Sequence, residues 1–206
     1  MNVAIQSVIF DIGNVLIRWD PRNVFTEVFN GDEAALAYFL SDVCSPEWNK
    51  EIDAGKTFDQ AVKERQALFP DYAEQIAMWR DRWPETLGGS IDGTVKILKT
   101  LKDQGTPLYG LSNWSAETFP YAREHFPFLS LLEDVVVSGE VKAAKPDAKI
   151  FEIFLERHPI DARTAVFIDD SKPNLLTAET FGIRGIHFTT PTELKRDLQF
   201  MGILPN

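Results

Sequence analysis

The feature that most constrains the fold is a nearly continuous apolar run from Val3 to Ile12, which ends in Asp11-Ile12-Gly13-Asn14. A strand with one face in water alternates apolar and polar residues, whereas a continuous run is typical of a strand covered on both faces. We therefore predict a first strand that is buried on both faces and breaks into a glycine turn.

Four later runs have the same character, and helical patterns lie between them. The predicted strands are Pro107–Leu111, Val135–Val137, Ala165–Ile168 and Ile183–Phe188. An apolar stripe at helical spacing, Ile91-Val95-Leu98-Leu101, precedes the first of these. Strands that alternate with helices predict a parallel sheet covered on both faces, that is, a doubly wound α/β core.

Residues 20–88 break this alternation. They contain amphipathic helical patterns rich in large aromatics and no convincing strand. A stretch of this length is too long to be a loop. We predict one α/β core formed by residues 1–19 and 89–206, with residues 20–88 as a helical insert.

Composition narrows the function classes. At 206 residues and 44% hydrophobic, the chain can bury one substantial core. Its net charge of −10 argues against binding to nucleic acid or to anionic lipid. The single cysteine, Cys44, is interpreted as a small buried apolar residue and excludes an intrachain disulfide. The start of the chain lacks a basic leader, so we expect a cytoplasmic protein with no membrane partner.

Polar residues stand where the predicted strands end. Because open α/β sheets bind ligands at the carboxyl ends of their strands, these side chains should converge on one rim. Each one alone is an ordinary turn or cap residue. Together, neighbouring carboxylates beside a lysine suggest a site balanced for an anionic ligand and a divalent metal. The residues are Asp11, Ser112-Asn113, Lys145 and Asp169-Asp170.

Four segments in this order resemble the motifs of the haloacid dehalogenase-like (HAD) hydrolases. They read Val8-Ile9-Phe10-Asp11-Ile12-Gly13-Asn14-Val15-Leu16, Gly110-Leu111-Ser112-Asn113, Lys145-Pro146 and Phe167-Ile168-Asp169-Asp170-Ser171-Lys172-Pro173-Asn174. The resemblance covers nearly the whole chain. It implies a Rossmann-like core and a helical cap of the family's first type over residues 20–88.

The resemblance also implies a reaction. Asp11 would attack phosphorus and form a phosphoaspartyl enzyme, while Lys145 would neutralise charge on the nucleophile and phosphoryl oxygens. Ser112 and Asn113 would hold those oxygens, and Trp114 is placed to contact substrate.

The implied cofactor is Mg²⁺, and the implied substrate is a small phosphorylated metabolite. Asp11, Asp170 and the Gly13 carbonyl would bind the metal, with Asp169 and Asn174 acting directly or through waters.

Gly13 departs from the usual pattern of the family's phosphatases, which place a second aspartate there as general acid and base. A leaving group that is itself acidic would bypass this acid, and members with a similar Asp-x-Gly-Asn-Val motif include sugar-1-phosphate phosphatases. We therefore favour sugar phosphates as substrates. A residue of the insert or a water molecule is the alternative proton source, and the candidate residues are Glu47, Glu51 and Asp53.

Two other functions stay open. A 2-haloacid dehalogenase would use the same aspartate without metal, but Asp169-Asp170 would repel its anionic substrate. Its carboxylate-binding arginine has only Arg18 and Arg22 as candidates. The third possibility is a HAD scaffold that binds a ligand and has weak catalysis.

The remaining aromatic and imidazole side chains suggest little chemistry. Helical spacing favours internal packing for Trp48, Trp79 and Trp83. The histidines at 125, 158 and 187 fall on helix ends or the last strand, so we assign them no catalytic role.

Overall fold

A computed structural model describes residues 4–205 of the chain. Its centre is a five-stranded parallel sheet with strand order β5-β4-β1-β6-β7. The strands are β1 (Ser7–Phe10), β4 (Leu108–Ser112), β5 (Asp134–Val137), β6 (Ala165–Asp169) and β7 (Arg184–His187). The doubly wound α/β fold predicted from the sequence is confirmed.

Alternate side chains of β1 enter different halves of the core. Val8 and Phe10 pack with the apolar faces of α6 (Asp92–Asp103) and α11 (Pro191–Phe200). Ile9 packs on the other side with α9 (Ala148–Arg157) and α10 (Lys172–Thr180). All three side chains are fully buried, which explains why the strand carries no polar alternation.

The predicted strand positions agree with the structure to within a residue or two at most ends. The exception is the first strand, where the regular pairing covers only Ser7–Phe10. Its predicted start, Val3, lies outside the described residues. The other helices of the core are α7 (Phe119–His125) and α8 (Ser138–Val141).

In the sequence, the chain between strands β1 and β4 forms a helical segment, which we define as residues 22–86. Its helices are α1 (Arg22–Val28), α2 (Glu33–Tyr38), a π-helical turn (Phe39–Val43), α3 (Pro46–Asp53), α4 (Phe58–Leu68) and α5 (Ala73–Asp81). Short 3₁₀ turns complete it.

One expectation for residues 20–88 was wrong, because a strand begins inside that range. Strand β3 (Leu87–Ser90) pairs in antiparallel fashion with β2 (Ile17–Trp19) and forms a two-stranded ribbon at the base of the helical segment. Its sequence, LGGS, contains two glycines and lacks the β-branched residues by which strands are recognised. The ribbon brings the two ends of the segment together beside the turn after β1.

Among residues 4–205, no helix is long and apolar enough to cross a membrane.

Candidate active site

The rim of the sheet gathers Asp11, Lys145 and Asp169 into one buried ion-pair group. Asp11 follows β1 directly, and its amide donates to the Ile168 carbonyl of the neighbouring strand at 2.9 Å. The Lys145 Nζ lies 3.0 Å from Asp11 Oδ1 and 2.7 Å from Asp169 Oδ2. It also donates to the Leu111 carbonyl at 2.7 Å, so all three of its protons have an acceptor.

Asp169 has no spare hydrogen-bonding capacity of its own. The Ser171 amide donates to Oδ1 at 2.7 Å, and the Asn174 Nδ2 donates to both oxygens at 3.0 Å. Asp169 is fully buried at the end of β6, while Asn174 lies in the first turn of α10. Asp169 therefore orients Lys145, and Asn174 orients Asp169.

Whereas Asp11 and Asp169 hold the Lys145 ammonium, the side chain of Asn113 holds the backbone of Lys145. Its Oδ1 accepts from the Lys145 amide at 2.8 Å, and its Nδ2 donates to the Lys145 carbonyl at 2.8 Å. This pair of bonds couples the loop after β4 to the lysine, across 32 residues of sequence.

Three carboxylates share this rim with a single cation. Asp11, Asp169 and Asp170 each place an oxygen within 4.8 Å of the others. Burial, the largest cause, raises the pKa of Asp11 to about 7; Lys145 opposes this shift, and the neighbouring Asp169 and Asp170 add to it. Burial and Asp169 likewise raise the pKa of Asp170. Burial alone would lower the pKa of Lys145, but Asp11 and Asp169 raise it.

This excess of negative charge fits a hard divalent cation. Carboxylate oxygens are the donors that such ions prefer, and a bound cation would relieve the repulsion that raises both aspartate pKa values. Asp170, unlike Asp169, is exposed and has free oxygens for a ligand bond.

A cavity of about 630 Å³ lies between this rim and the helical segment. The core contributes Asp11, Gly13, Asn113, Lys145 and Asp170, among others. The helical segment contributes one face of α3, at spacing i, i+3, i+4 and i+7, and several large apolar side chains. The first set is Pro46, Asn49, Lys50 and Asp53, and the second is Leu40, Cys44, Trp79 and Trp83.

The local sequence explains where α3 begins. Ser45 accepts from the Trp48 amide as N-cap, and Pro46 occupies the first helical position. Trp48 and Ile52 on the opposite face are buried in the helical segment. The polar face of α3 is thereby turned to the cavity.

The carboxyl end of α3 is bonded to the core next to Asn113. Ser138 Oγ donates to the Asp53 carbonyl and accepts from the Trp114 amide at 2.9 Å. Gly139 permits this approach, since a Cβ there would lie 2.8 Å from the Trp114 carbonyl oxygen. The Asp53 carboxylate accepts from Asn49 Nδ2 at 2.9 Å, and Asn49 Oδ1 accepts from Trp79 Nε1 at 3.2 Å.

Sequence comparison decides the family. Residues 8–188 match the family described as haloacid dehalogenase-like hydrolase, which is most of the chain. The chain belongs to the HAD-like hydrolases. The family predicted from the four motifs is therefore confirmed.

Individual relatives place this HAD hydrolase near phosphatases. It is 25% identical to the sesquiterpene phosphatase astK of Aspergillus oryzae over 92% of each chain. It is 23% identical to the drimenol cyclase drtB of Aspergillus calidoustus, over 94% of this chain but only 36% of that protein. Its fold is similar to the HAD family enzyme bt-2542 of Bacteroides thetaiotaomicron, crystallised with magnesium and inorganic phosphate (TM-score 0.67, 22% identity, 91% and 96% coverage).

The HAD site differs in detail from the sequence predictions. Ser112 is fully buried, does not line the cavity, and its hydroxyl has no partner among the described residues. Asn113 lines the cavity, but its side-chain amide is occupied by Lys145. Trp114 lines the cavity and packs edge-on against Trp83 at 5.6 Å between ring centroids. The roles of these residues toward substrate stay predictions.

Other expectations for this HAD hydrolase are met in part. Trp48, Trp79 and Trp83 are buried as predicted, although the last two also form part of the cavity wall. Cys44 is buried, and burial raises the pKa of its thiol. Neither Arg18 nor Arg22 lines the cavity. Asn49, Lys50 and Ser138 were missed, although the spacing of Asn49 and Asp53 on one helix was visible.

Proposed function

We propose that the protein is a Mg²⁺-dependent phosphatase that cleaves a small phosphorylated metabolite through a phosphoaspartyl intermediate on Asp11. The observation that carries the proposal is the joint placement of Asp11, Lys145 and Asp170 on one wall of a cavity, with Asp169 directly behind Lys145. The sesquiterpene phosphatase among its relatives supports the same reaction class.

The contacts support a role for each of these residues. Asp11 presents a carboxylate to the cavity, with Oδ1 held by its own neighbour, the Ile12 amide, at 2.7 Å. Lys145 is positioned to neutralise the charge that builds on Asp11 and the phosphoryl oxygens as they meet. Asp11 and Asp170, with the Gly13 carbonyl, would hold Mg²⁺, and Asp169 and Asn174 would act behind them. When bound, the metal supplies charge neutralisation at the phosphoryl group.

The substrate class has two candidates. The Asp-x-Gly-Asn-Val motif favours a sugar 1-phosphate, because such a leaving group needs little proton donation. The apolar part of the helical wall favours a more apolar leaving group, since Leu40, Trp79 and Trp83 offer apolar surface beside the polar face of α3. We place the apolar metabolite first, in keeping with the sesquiterpene phosphatase relative.

We also propose that residues 20–88 act as a cap that selects the leaving group and excludes water. The cytoplasm remains our expected location for the protein.

The test is a metal-dependent phosphate-release screen that includes sugar 1-phosphates, prenyl monophosphates and simple alkyl phosphates, run beside L-2-chloropropionate. We expect phosphate release that requires Mg²⁺ and falls by about 10³-fold or more in Asp11→Asn. Phosphate release unchanged in Asp11→Asn would refute the mechanism, and halide release without metal would assign the protein as a dehalogenase. Ligand binding that depends on Mg²⁺ without turnover would support the binding-protein alternative.

A further inference from the structure

The leaving oxygen of a phosphate ester needs a proton when its bond to phosphorus breaks, unless the alcohol is strongly acidic. The core wall has no side chain for this at Gly13. A Cβ at Gly13 would meet nothing within 4 Å, so the space beside the nucleophile is open to substrate.

Six titratable side chains line the cavity, and five of them are unsuited to this task. Asp11 is the proposed nucleophile, Asp170 belongs to the proposed metal site, and Lys145 is held between two carboxylates. Cys44 is a buried thiol with a raised pKa, and Lys50, as an ammonium, is a much weaker acid than a carboxyl group. The sixth is Asp53.

The position of Asp53 is fixed relative to the nucleophile's side of the cavity. Its backbone carbonyl is joined through Ser138 Oγ to the Trp114 amide, and the preceding residue, Asn113, holds Lys145. Its carboxylate is oriented by Asn49, which is in turn bonded to Trp79. These bonds hold the Asp53 carboxyl group in the wall of the cavity that Asp11 also lines.

Burial raises the pKa of Asp53 to about 7, as it does that of Asp11. The two side chains differ in their partners, because Asp11 lies 3.0 Å from the Lys145 ammonium, whereas Asp53 has no salt-bridge partner among residues 4–205. A carboxyl group with this pKa is protonated in about half of the molecules at pH 7 and can donate its proton, which is the tuning expected of a general acid.

We propose that Asp53, on the helical segment, is the catalytic acid that protonates the leaving oxygen, in place of the side chain absent at Gly13. The inference rests on the proposed phosphatase function. As the bond from Asp11 oxygen to phosphorus forms and the bond to the leaving oxygen breaks, the Asp53 proton passes to that oxygen. The Asp53 carboxylate then takes a proton from the water that attacks phosphorus; the bond from Asp11 oxygen to phosphorus breaks, inorganic phosphate leaves, and both side chains return to their starting state.

Asp53→Asn tests this, with Glu47→Gln on the same helix as matched control. Glu47, one of the three residues considered as a proton source from the sequence, is exposed and does not line the cavity, so it lies outside the site; like Asp53, it carries a carboxyl group. Leaving-group release is measured in single turnover with enzyme in excess and Mg²⁺ present, so that only the first step is observed. The probes are an alkyl phosphate, whose leaving alcohol needs a proton, and p-nitrophenyl phosphate, whose leaving phenol does not.

We expect Asp53→Asn to slow release from the alkyl phosphate by about 10²–10⁴-fold and release of p-nitrophenol by less than about tenfold. Glu47→Gln should change neither rate. Equal loss on both probes would overturn the proposal, because it would indicate a structural role, and so would an unchanged rate with the alkyl phosphate. The p-nitrophenyl rate also reports correct folding. Failure of the phosphatase function itself has a different signature, the absence of Mg²⁺-dependent turnover in the unmodified protein.

Discussion

The two walls of the cavity each present an aspartate, but in opposite electrostatic settings. On the core wall, Asp11 lies 3.0 Å from the Lys145 ammonium and shares its surroundings with Asp169 and Asp170. On the helical wall, Asp53 has an amide neighbour, Asn49, and aromatic surroundings. Burial raises the pKa of both side chains to about 7, but only Asp11 has a cation beside it, and a metal bound at the rim would further favour its anion. Asp53, which has no such partner among the described residues, is the better suited of the two to hold a proton. One residue type thereby serves two chemical tasks.

The largest effect should come from breaking the ion pairs of the core wall with Lys145→Met. The substitution leaves Asp11 and Asp169 buried without their cation, which costs about 3–5 kcal/mol of unfolding free energy. Phosphate release should fall by about 10³-fold. Urea unfolding and phosphate-release assays measure both, with Lys149→Met as control. The Lys149 side chain forms an exposed ion pair with Glu152. Similar losses of stability and activity in both variants would show that the buried ion pairs of Lys145 are no more important than this exposed one.

The next largest effect should come from removing a proposed metal ligand, Asp170. Mg²⁺ should raise the unfolding temperature of the unmodified protein, since a ligand at a hundred times its Kd stabilises the folded state by about 2.7 kcal/mol. Asp170→Asn should abolish this shift and lower phosphate release at fixed Mg²⁺ by about 10- to 100-fold. Thermal melts with and without EDTA provide the measurement. Asp103→Asn, which removes an exposed carboxylate from α6, should retain the full Mg²⁺ shift. A shift retained in Asp170→Asn would place the metal elsewhere.

The core wall was predictable from sequence and the helical wall was not, for a physical reason. Parallel strands end at one edge of their sheet, so Asp11, Lys145 and Asp169 must converge wherever the loops are short. No comparable rule positions α3, because its orientation depends on how Trp48 and Ile52 pack and on the bridge from Ser138 to Asp53. The spacing of Asn49 and Asp53 revealed a common helix face, but not that this face borders the nucleophile.

A smaller loss of activity is expected at Asn113, whose side chain holds the backbone of Lys145 in place. Asn113→Ala removes two hydrogen bonds and leaves the Lys145 amide and carbonyl without their partner, which costs about 1–3 kcal/mol. Phosphate release should fall about tenfold through misplacement of Lys145, with the Mg²⁺-induced shift in unfolding temperature retained. A loss of activity as large as that of Lys145→Met would show instead that the Asn113 side chain acts on the substrate directly.

The smallest effect should come from the apolar part of the helical wall, and two tryptophans offer a matched pair. Trp83 and Trp48 are both about 95% buried, but only Trp83 lines the cavity. Trp83→Phe removes roughly 40 Å² of apolar contact surface, or about 1 kcal/mol, so the KM for a prenyl or alkyl phosphate should rise about fivefold. The same substitution at Trp48 should lower stability through the lost bond from Nε1 to the Ala61 carbonyl, without a change in KM.

If both variants changed KM alike, the helical wall would affect substrate binding only through its internal packing and not through contact with the leaving group. If neither did, the leaving group would not contact it, and the sugar 1-phosphates favoured by the first motif would return to first place.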